Sequence, residues 1–255
     1  MPHFLSLLQT KIAMSLKAEA ARTRISYAWW LLEPCLQTLV FYLVFGILMG
    51  DGSLEFLRFI LTGLIPWTWF ARSVQNSMLT LKGSGWLLSN TQINPFFLTL
   101  VEVGQDFVKQ GITFTFLCLA LLILGGGVTP SWLALPVLIL LQLFFVTLLA
   151  CLVAALVAMV EDLKYLVATG LLLVMFVSGV FYEPTEILLP SHQSWFFLNP
   201  VAALLEAYRQ VLLGGFLPQW SHLLVVITWS VITAFLLWVV YLSNRGRFAE
   251  LISEG

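Results

Sequence analysis

From Gly111 to Val160 the chain carries no charged residue at all. One crossing of a bilayer takes about 20 mostly apolar residues, so a run of this length is two crossings. Gly125-Gly126-Gly127 and Pro130 interrupt it in the middle, as a tight turn between two helices requires. The spacing predicts spans over roughly 107–124 and 131–160. Few soluble architectures can accommodate such a segment, because a helix apolar on every side must be surrounded by protein or by lipid.

Composition settles which. Of 255 residues, 60% are hydrophobic and 10% charged, and the mean hydropathy is +0.96. A soluble domain carries about a quarter charged residues and could not bury this apolar excess in one core. The chain is an integral membrane protein. A soluble enzyme, a nucleic-acid binder, a disordered scaffold and a disulfide-stapled secreted module are excluded. The net charge of −1 informs only through placement. Cys35, Cys118 and Cys151 all lie in apolar stretches without a CxxC pair or a Cys/His cluster, so they read as packing residues, and no metal or cofactor is expected in this chain. No small-residue cleavage site follows a short apolar run near the N-terminus, so the first span is expected to be uncleaved.

Four further spans complete the count. The first runs from Trp29 or Trp30 to Met49, closed by Gly50-Asp51-Gly52, and the second from about Leu57 to Leu81 with Arg72 inside it. The fifth covers 165–182, and the sixth about 223–243. The expected fold is therefore all-α with six transmembrane helices in one domain, residues 1–255, helices one to five occupying 29–182. With both termini inside, Lys11, Lys17, Arg22, Arg24, Lys82, Lys109, Lys164, Arg245 and Arg247 are cytoplasmic, and only Arg58 and Arg209 lie outside. That asymmetry fixes both termini in the cytoplasm. Trp29 and Trp30 mark one interface, and Trp132, Trp195 and Trp220 the other.

Two segments are neither spans nor plain loops. In residues 1–28, Leu5, Leu8, Ile12 and Leu16 share a helical face, with Lys11 and Lys17 elsewhere on the wheel. This predicts an amphipathic helix in the cytoplasmic interface, its basic side toward anionic lipid; a frayed leader is the plainer alternative. Residues 183–221 are apolar but too long for a turn. Asn199-Pro200 starts a helix there and Gly214-Gly215 stops it, with Val201, Leu204, Leu205, Tyr208 and Leu212 on one face. Fourteen residues reach only about 21 Å, so an outer re-entrant hairpin between helices five and six is expected.

Chemistry is sparse. A phosphate-cradling glycine loop ending in Lys-Ser/Thr is absent from the sequence, so hydrolysis of nucleotide is not expected of this chain. Gly83-Ser84-Gly85 resembles a serine-protease elbow only superficially, lying in a cytoplasmic loop with no histidine inside a span. Glu33 and Arg72 are the ionisable residues nearest mid-membrane. Their expected depths differ by about 7 Å, which long side chains bridge, so either an ion pair joins the first two helices or each snorkels separately. In the loop from Lys82 to Phe97, Trp86, Leu87, Leu88 and Ile93 form an apolar patch that suits a partner surface or the lipid surface.

Arg22-Thr-Arg-Ile-Ser-Tyr-Ala-Trp-Trp-Leu-Leu-Glu-Pro34 resembles the lead-in to the first span of bacterial polysaccharide ABC exporter permeases, the membrane subunits for O-antigen, capsule or teichoic acid. Gly63-Leu-Ile-Pro-Trp67 with Phe70 and Asn76 is similar to that family's second span. Ser178-Gly-Val-Phe-Tyr182, then Leu198-Asn-Pro200 with Glu206, Tyr208 and Arg209, resemble its fifth-span end and outer segment. A departure occurs at Val160-Glu-Asp-Leu-Lys-Tyr165, where the family usually places Arg before the Asp. The resemblance implies a homodimer in the bacterial inner membrane, among membrane lipids and without nucleic acid. It also implies a separate ABC ATPase subunit holding ATP and Mg, which the 82–97 loop would contact, and a lipid-linked polysaccharide substrate. A small-lipophile permease and a stand-alone channel are the rival readings. Sugar rings offer apolar C–H faces that stack on aromatics, so the polymer path is expected along Tyr42, Phe45, Trp67, Trp69, Phe70, Tyr182 and Tyr208.

Overall fold

A computed structural model describes residues 2–21, 26–48, 50, 52–82 and 94–243, and all of their regular structure is helical. The helices are α1 (Pro2–Ala21), α2 (Trp29–Phe41), α3 (Leu54–Ser77), α4 (Phe97–Ile123), α5 (Leu135–Met159), α6 (Leu163–Val177), α7 (Pro184–Ile187), α8 (Pro190–Phe196), α9 (Pro200–Leu212) and α10 (Trp220–Ser243). A π-helical stretch, Tyr42–Leu48, continues α2, and a 3-10 turn, Pro130–Ala134, leads into α5.

Four segments are long and apolar enough to cross a membrane: Trp29–Leu48, Phe97–Ile123, Pro130–Met159 and Trp220–Ser243. The protein is multi-pass. α3 is as long as α10 but carries Glu55, Arg58 and Arg72, while α6 is apolar but has only 15 residues, about 22 Å of helix. The span expected to start near 107 instead belongs to a helix that begins at Phe97. Ionisable side chains hid that first half: Glu102, Asp106 and Lys109 lower its hydropathy, yet Asp106 and Lys109 are buried against protein. Lys109, expected near the cytoplasmic start of the span, lies buried near the middle of this helix.

The core forms where α3 packs on α4, α5 and α9, and α10 packs on α5 and α9. Local signals explain the ends. Ser53 caps α3, its hydroxyl accepting from the Phe56 N–H at 3.1 Å. Asn199 caps α9, its side-chain oxygen accepting from the Val201 N–H at 2.9 Å, with Pro200 at the first position. After α4, Gly125 takes φ +87°, and the Gly126 N–H returns to the Leu121 carbonyl at 2.8 Å. Only glycine turns this corner without strain.

α1 departs from expectation in what its stripe faces. It runs parallel to the first half of α4: Phe4 meets Phe97 edge-on at 5.6 Å, Ile12 lies against Gly104, and Glu19 reaches Lys109 at 2.7 Å. Leu8, Ile12 and Leu16 are half-buried, whereas Leu5, expected on the same stripe, is exposed. The stripe is therefore turned to the protein's own fourth helix, and Lys11 and Lys17 point outward.

Candidate functional site

The proline in Glu33-Pro34 removes one backbone donor from α2, and the Thr38 hydroxyl donates back to the Pro34 carbonyl at 2.8 Å. Glu33 sits one residue before that irregular turn. Across from it on α3, Arg72 places Nη2 3.1 Å from Glu33 Oε1. The two side chains are 25% and 38% exposed, so the pair sits at a surface open to its surroundings. That surface is a groove of about 470 Å³ between α2, α3 and α6. Gln37, Phe41, Trp67 and Gln75 line it together with the pair, and Met175 closes it from α6. Its walls are mostly apolar, with one cation, one anion and two amides to orient a polar solute.

The seven aromatics expected along a path separate into two groups. Trp67 lines the groove but is itself only 4% exposed and packs on Phe70 at 5.5 Å, while Tyr42, Phe45 and Tyr182 are half-buried. Phe45 stacks on Phe181 at 4.7 Å, where Phe41 also packs at 4.4 Å. The Tyr42 hydroxyl donates to the Gly52 carbonyl at 2.7 Å, tying the π-helical end of the first span to the following loop. Trp69, Phe70 and Tyr208 lie inside the helix bundle. Phe70 stacks on Phe145 at 5.9 Å, and Trp69 packs on Phe107 at 6.0 Å. The Tyr208 hydroxyl donates to Gln142 Oε1 at 2.9 Å, and Gln142 Nε2 donates to the Pro66 carbonyl at 2.9 Å. This amide bridge ties α5 and α9 to the backbone of α3 at Pro66.

A second polar centre escaped the sequence reading. Arg209, expected on the outer side within the re-entrant helix, is 6% exposed within α9. Its Nη2 donates to the Gly179 carbonyl at 2.8 Å and the Val180 carbonyl at 3.2 Å, both just past the end of α6. The guanidinium lies 3.6 Å over the Phe59 ring. Gly63 makes room: a Cβ there would sit 2.7 Å from Arg209 Nη2 and 3.1 Å from the Val180 carbonyl oxygen. Asn199 Nδ2 donates to Ser178 Oγ at 2.8 Å. The Gly63, Ser178-Gly179-Val180, Asn199 and Arg209 positions, far apart in sequence, thus meet at one junction of α3, α6 and α9. The sequence offered no local signal for this, because α9 is amphipathic and Arg209 falls in its polar sequence Glu206–Gln210 like any water-facing cation.

At the end bearing Lys82, Lys164 and α1, two charged clusters join elements. Lys109 bridges Glu19 at 2.7 Å and lies 3.7 Å from Asp106, whose oxygens accept from Asn76 Nδ2 at 3.2 and 3.1 Å. Trp30 Nε1 donates to Glu19 Oε1 at 3.2 Å, so α1, α2, α3 and α4 share one network. In the turn before α6, Glu161 accepts from Lys164 at 2.7 Å and from Lys82. These two ammonium groups hold its carboxyl down at about 2. The apolar patch Trp86, Leu87, Leu88 and Ile93 lies outside the described residues. Among the described residues, no group of three His, Cys, Asp or Glu side chains forms a metal site.

The family model "ABC-2 type transporter" matches residues 8–213. The chain is 30% identical to the O-antigen export system permease protein RfbA of Myxococcus xanthus, over 96% of this chain and 95% of that protein. Two proteins of the same name from Klebsiella pneumoniae are 25% and 23% identical, each over 93% of this chain and 91% of their own length. All α2–α9 elements fall within the family match. The chain belongs to the ABC-2 type transporter family, as a membrane permease and not an enzyme.

Proposed function

We propose that the chain is the membrane-spanning subunit of an exporter that carries a lipid-linked polysaccharide of the O-antigen, capsule or teichoic acid class across a bacterial inner membrane. A separate ABC ATPase subunit, binding ATP and Mg, drives it. The observation that carries this reading is the groove between α2, α3 and α6. It combines the Trp67 indole, the Phe41 ring backed by Phe181, and the Glu33–Arg72 pair. A sugar polymer with apolar faces and polar edges needs such a mixed surface, and relatives named for O-antigen export align over nearly the whole chain.

In this reading α2, α3, α4, α5, α6 and α10 are six spans, both termini are cytoplasmic, and α7–α9 form the outer re-entrant segment. A second copy of the chain closes the groove into a conduit. Of the seven aromatics, Trp67, Tyr42, Phe45 and Tyr182 face the polymer, and Trp69, Phe70 and Tyr208 hold the wall behind it. Trp86, Leu87, Leu88 and Ile93 contact the ATPase, with Trp86 as the anchor that interface aromatics provide.

The test is complementation in a cell lacking the chain. Wild type restores surface polysaccharide, Trp67→Leu restores protein level but slows export, and Trp86→Ala leaves the protein in the membrane while uncoupling hydrolysis from export. Normal surface polysaccharide in the absence of the chain contradicts the proposal.

A further inference from the structure

A second cavity, of about 460 Å³, lies between α8, α9 and the start of α10, away from the groove. Its chemistry differs from the groove's. Neither lysine nor arginine lines it, while Glu206, Gln210, Gln219, Gln193, Phe197 and His222 do. The neighbouring cation, Arg209, is turned away to the Gly179 and Val180 carbonyls. Glu206 forms no ion pair among the described residues, and one of its oxygens accepts only from Gln210 Nε2 at 3.3 Å.

The walls are held in place from behind. Gln210 Oε1 accepts from the Gln219 N–H at 2.9 Å, and Gln193 Nε2 donates to the Thr185 and Leu188 carbonyls at 3.3 and 3.2 Å. Trp229 Nε1 donates to the Leu198 carbonyl at 2.9 Å, fixing the end of the hairpin to α10. Phe197 and His222 stack at 4.8 Å with their planes 25° apart. His222 is buried, and its Nδ1 has no hydrogen-bond partner among the described residues. An unpartnered ring nitrogen beside a half-buried carboxylate is costly unless something polar is bound there.

Carboxylate, amides with both donors and acceptors, and a flat aromatic pair together select a neutral ring bearing hydroxyls. The carboxylate accepts from adjacent hydroxyls, the Gln219 side chain and the second Gln210 N–H can donate to ring and exocyclic oxygens, and the aromatic pair covers a C–H face. Anionic ligands are repelled by Glu206. A quaternary ammonium would want an aromatic cage, and only one aromatic pair is present. We infer that this cavity is a binding site for a single neutral pyranose unit. The inference rests on the polysaccharide reading for its biological source, a sugar of the emerging polymer held beside α9.

The experiment is ligand-observed saturation-transfer NMR on the full chain in lipid nanodiscs. The probes are glucose, galactose and N-acetylglucosamine, with tetramethylammonium as the cationic control. At least one sugar receives saturation on its C–H face. Glu206→Leu weakens it about tenfold or more, as loss of a charge-assisted acceptor does. Ser194→Trp, an exposed rim position that tolerates bulk, abolishes it by filling the cavity. No saturation of any sugar, saturation unchanged in both variants, or binding of tetramethylammonium alone overturns the inference. Surface polysaccharide in the complemented cell is read separately. If it depends on the chain while no sugar binds, only the cavity assignment falls; if sugars bind while it does not depend on the chain, only the export reading falls.

Discussion

α3 and α10 have the same length and opposite characters. α10 is among the most apolar helices of the chain, yet only His222, Leu223, Val226, Ser230 and Thr233 on it are buried. α3 carries three charges and a buried hydroxyl at Thr62, which donates to the Arg58 and Phe59 carbonyls, yet most of it, from Ile60 to Ser77, is core. In water the apolar helix would be inside. In a bilayer the solvent is hydrocarbon, so apolarity marks what faces lipid, and polarity is retained where protein partners satisfy it. The buried Arg209 and Gln142 and the half-buried Asn199 all serve helices packed on α3 or α9.

The contrast is sharpest at Arg209. Arg209→Leu should be the most damaging single change, because it leaves the Gly179 and Val180 carbonyls without their donor and frees α9 from α6. A loss of about 3 kcal/mol is expected, from about 1–3 kcal/mol for each buried group left unpaired. It should be read as a thermal midpoint in detergent lowered by about 6 °C or more. By contrast, Val231→Ala on the exposed face of α10 should move that midpoint by no more than about 1–2 °C, since substitutions away from buried features fall within about 0.5 kcal/mol. Equal effects at the two sites would erase the distinction between the helices.

Glu33 and Arg72 lie between these extremes. The pair is partly exposed, so neutralising either partner should cost no more than about 1 kcal/mol, while export should fall in both single variants. Glu33→Arg combined with Arg72→Glu should recover export if the pair itself matters. Failure of the exchange would mean that each charge acts alone.

The smallest expected effect is at Glu161. Its carboxyl is held at about 2, below the usual value near 4.3. The bridge to Lys82 and Lys164 is therefore complete above pH 4.3 and is lost as pH falls through about 2. Glu161→Gln should lower the midpoint at pH 7 only slightly, since the bridge is exposed and screened, and should remove an equally small acid-side change between pH 4.3 and 2. A large destabilisation at pH 7 would show that the turn before α6 is structural.

How much could be read in the sequence follows the same physics. α2, α5, α10 and the cap of α9 were legible because lipid-facing apolarity and the Asn199-Pro200 pair are local signals. The Glu33–Arg72 contact was one of two readings the sequence left open, since long side chains can either bridge a depth difference of about 7 Å or snorkel separately. The first half of α4 was not, because Glu102, Asp106 and Lys109 look like loop residues until Glu19 and Asn76 are seen to satisfy two of them. Arg209 was not, because its partners are backbone carbonyls 29 and 30 residues away, which leave no mark on composition. The burial of Trp69, Phe70 and Tyr208 likewise depends on Phe107, Phe145 and Gln142, contributed by other helices.

The groove's role is tested most directly by photo-crosslinking to the polymer while the transporter is stalled with an ATPase subunit that binds but does not hydrolyse ATP. Cysteines at Gln37 and Gln75 would carry the photoreactive group in the groove, and cysteines at Val231 and Phe235 would carry it on α10. Adducts with lipid-linked polysaccharide at Gln37 and Gln75, and none at Val231 or Phe235, are expected. Adducts on α10 with none in the groove would contradict the assignment of α2, α3 and α6 as the wall of the export path.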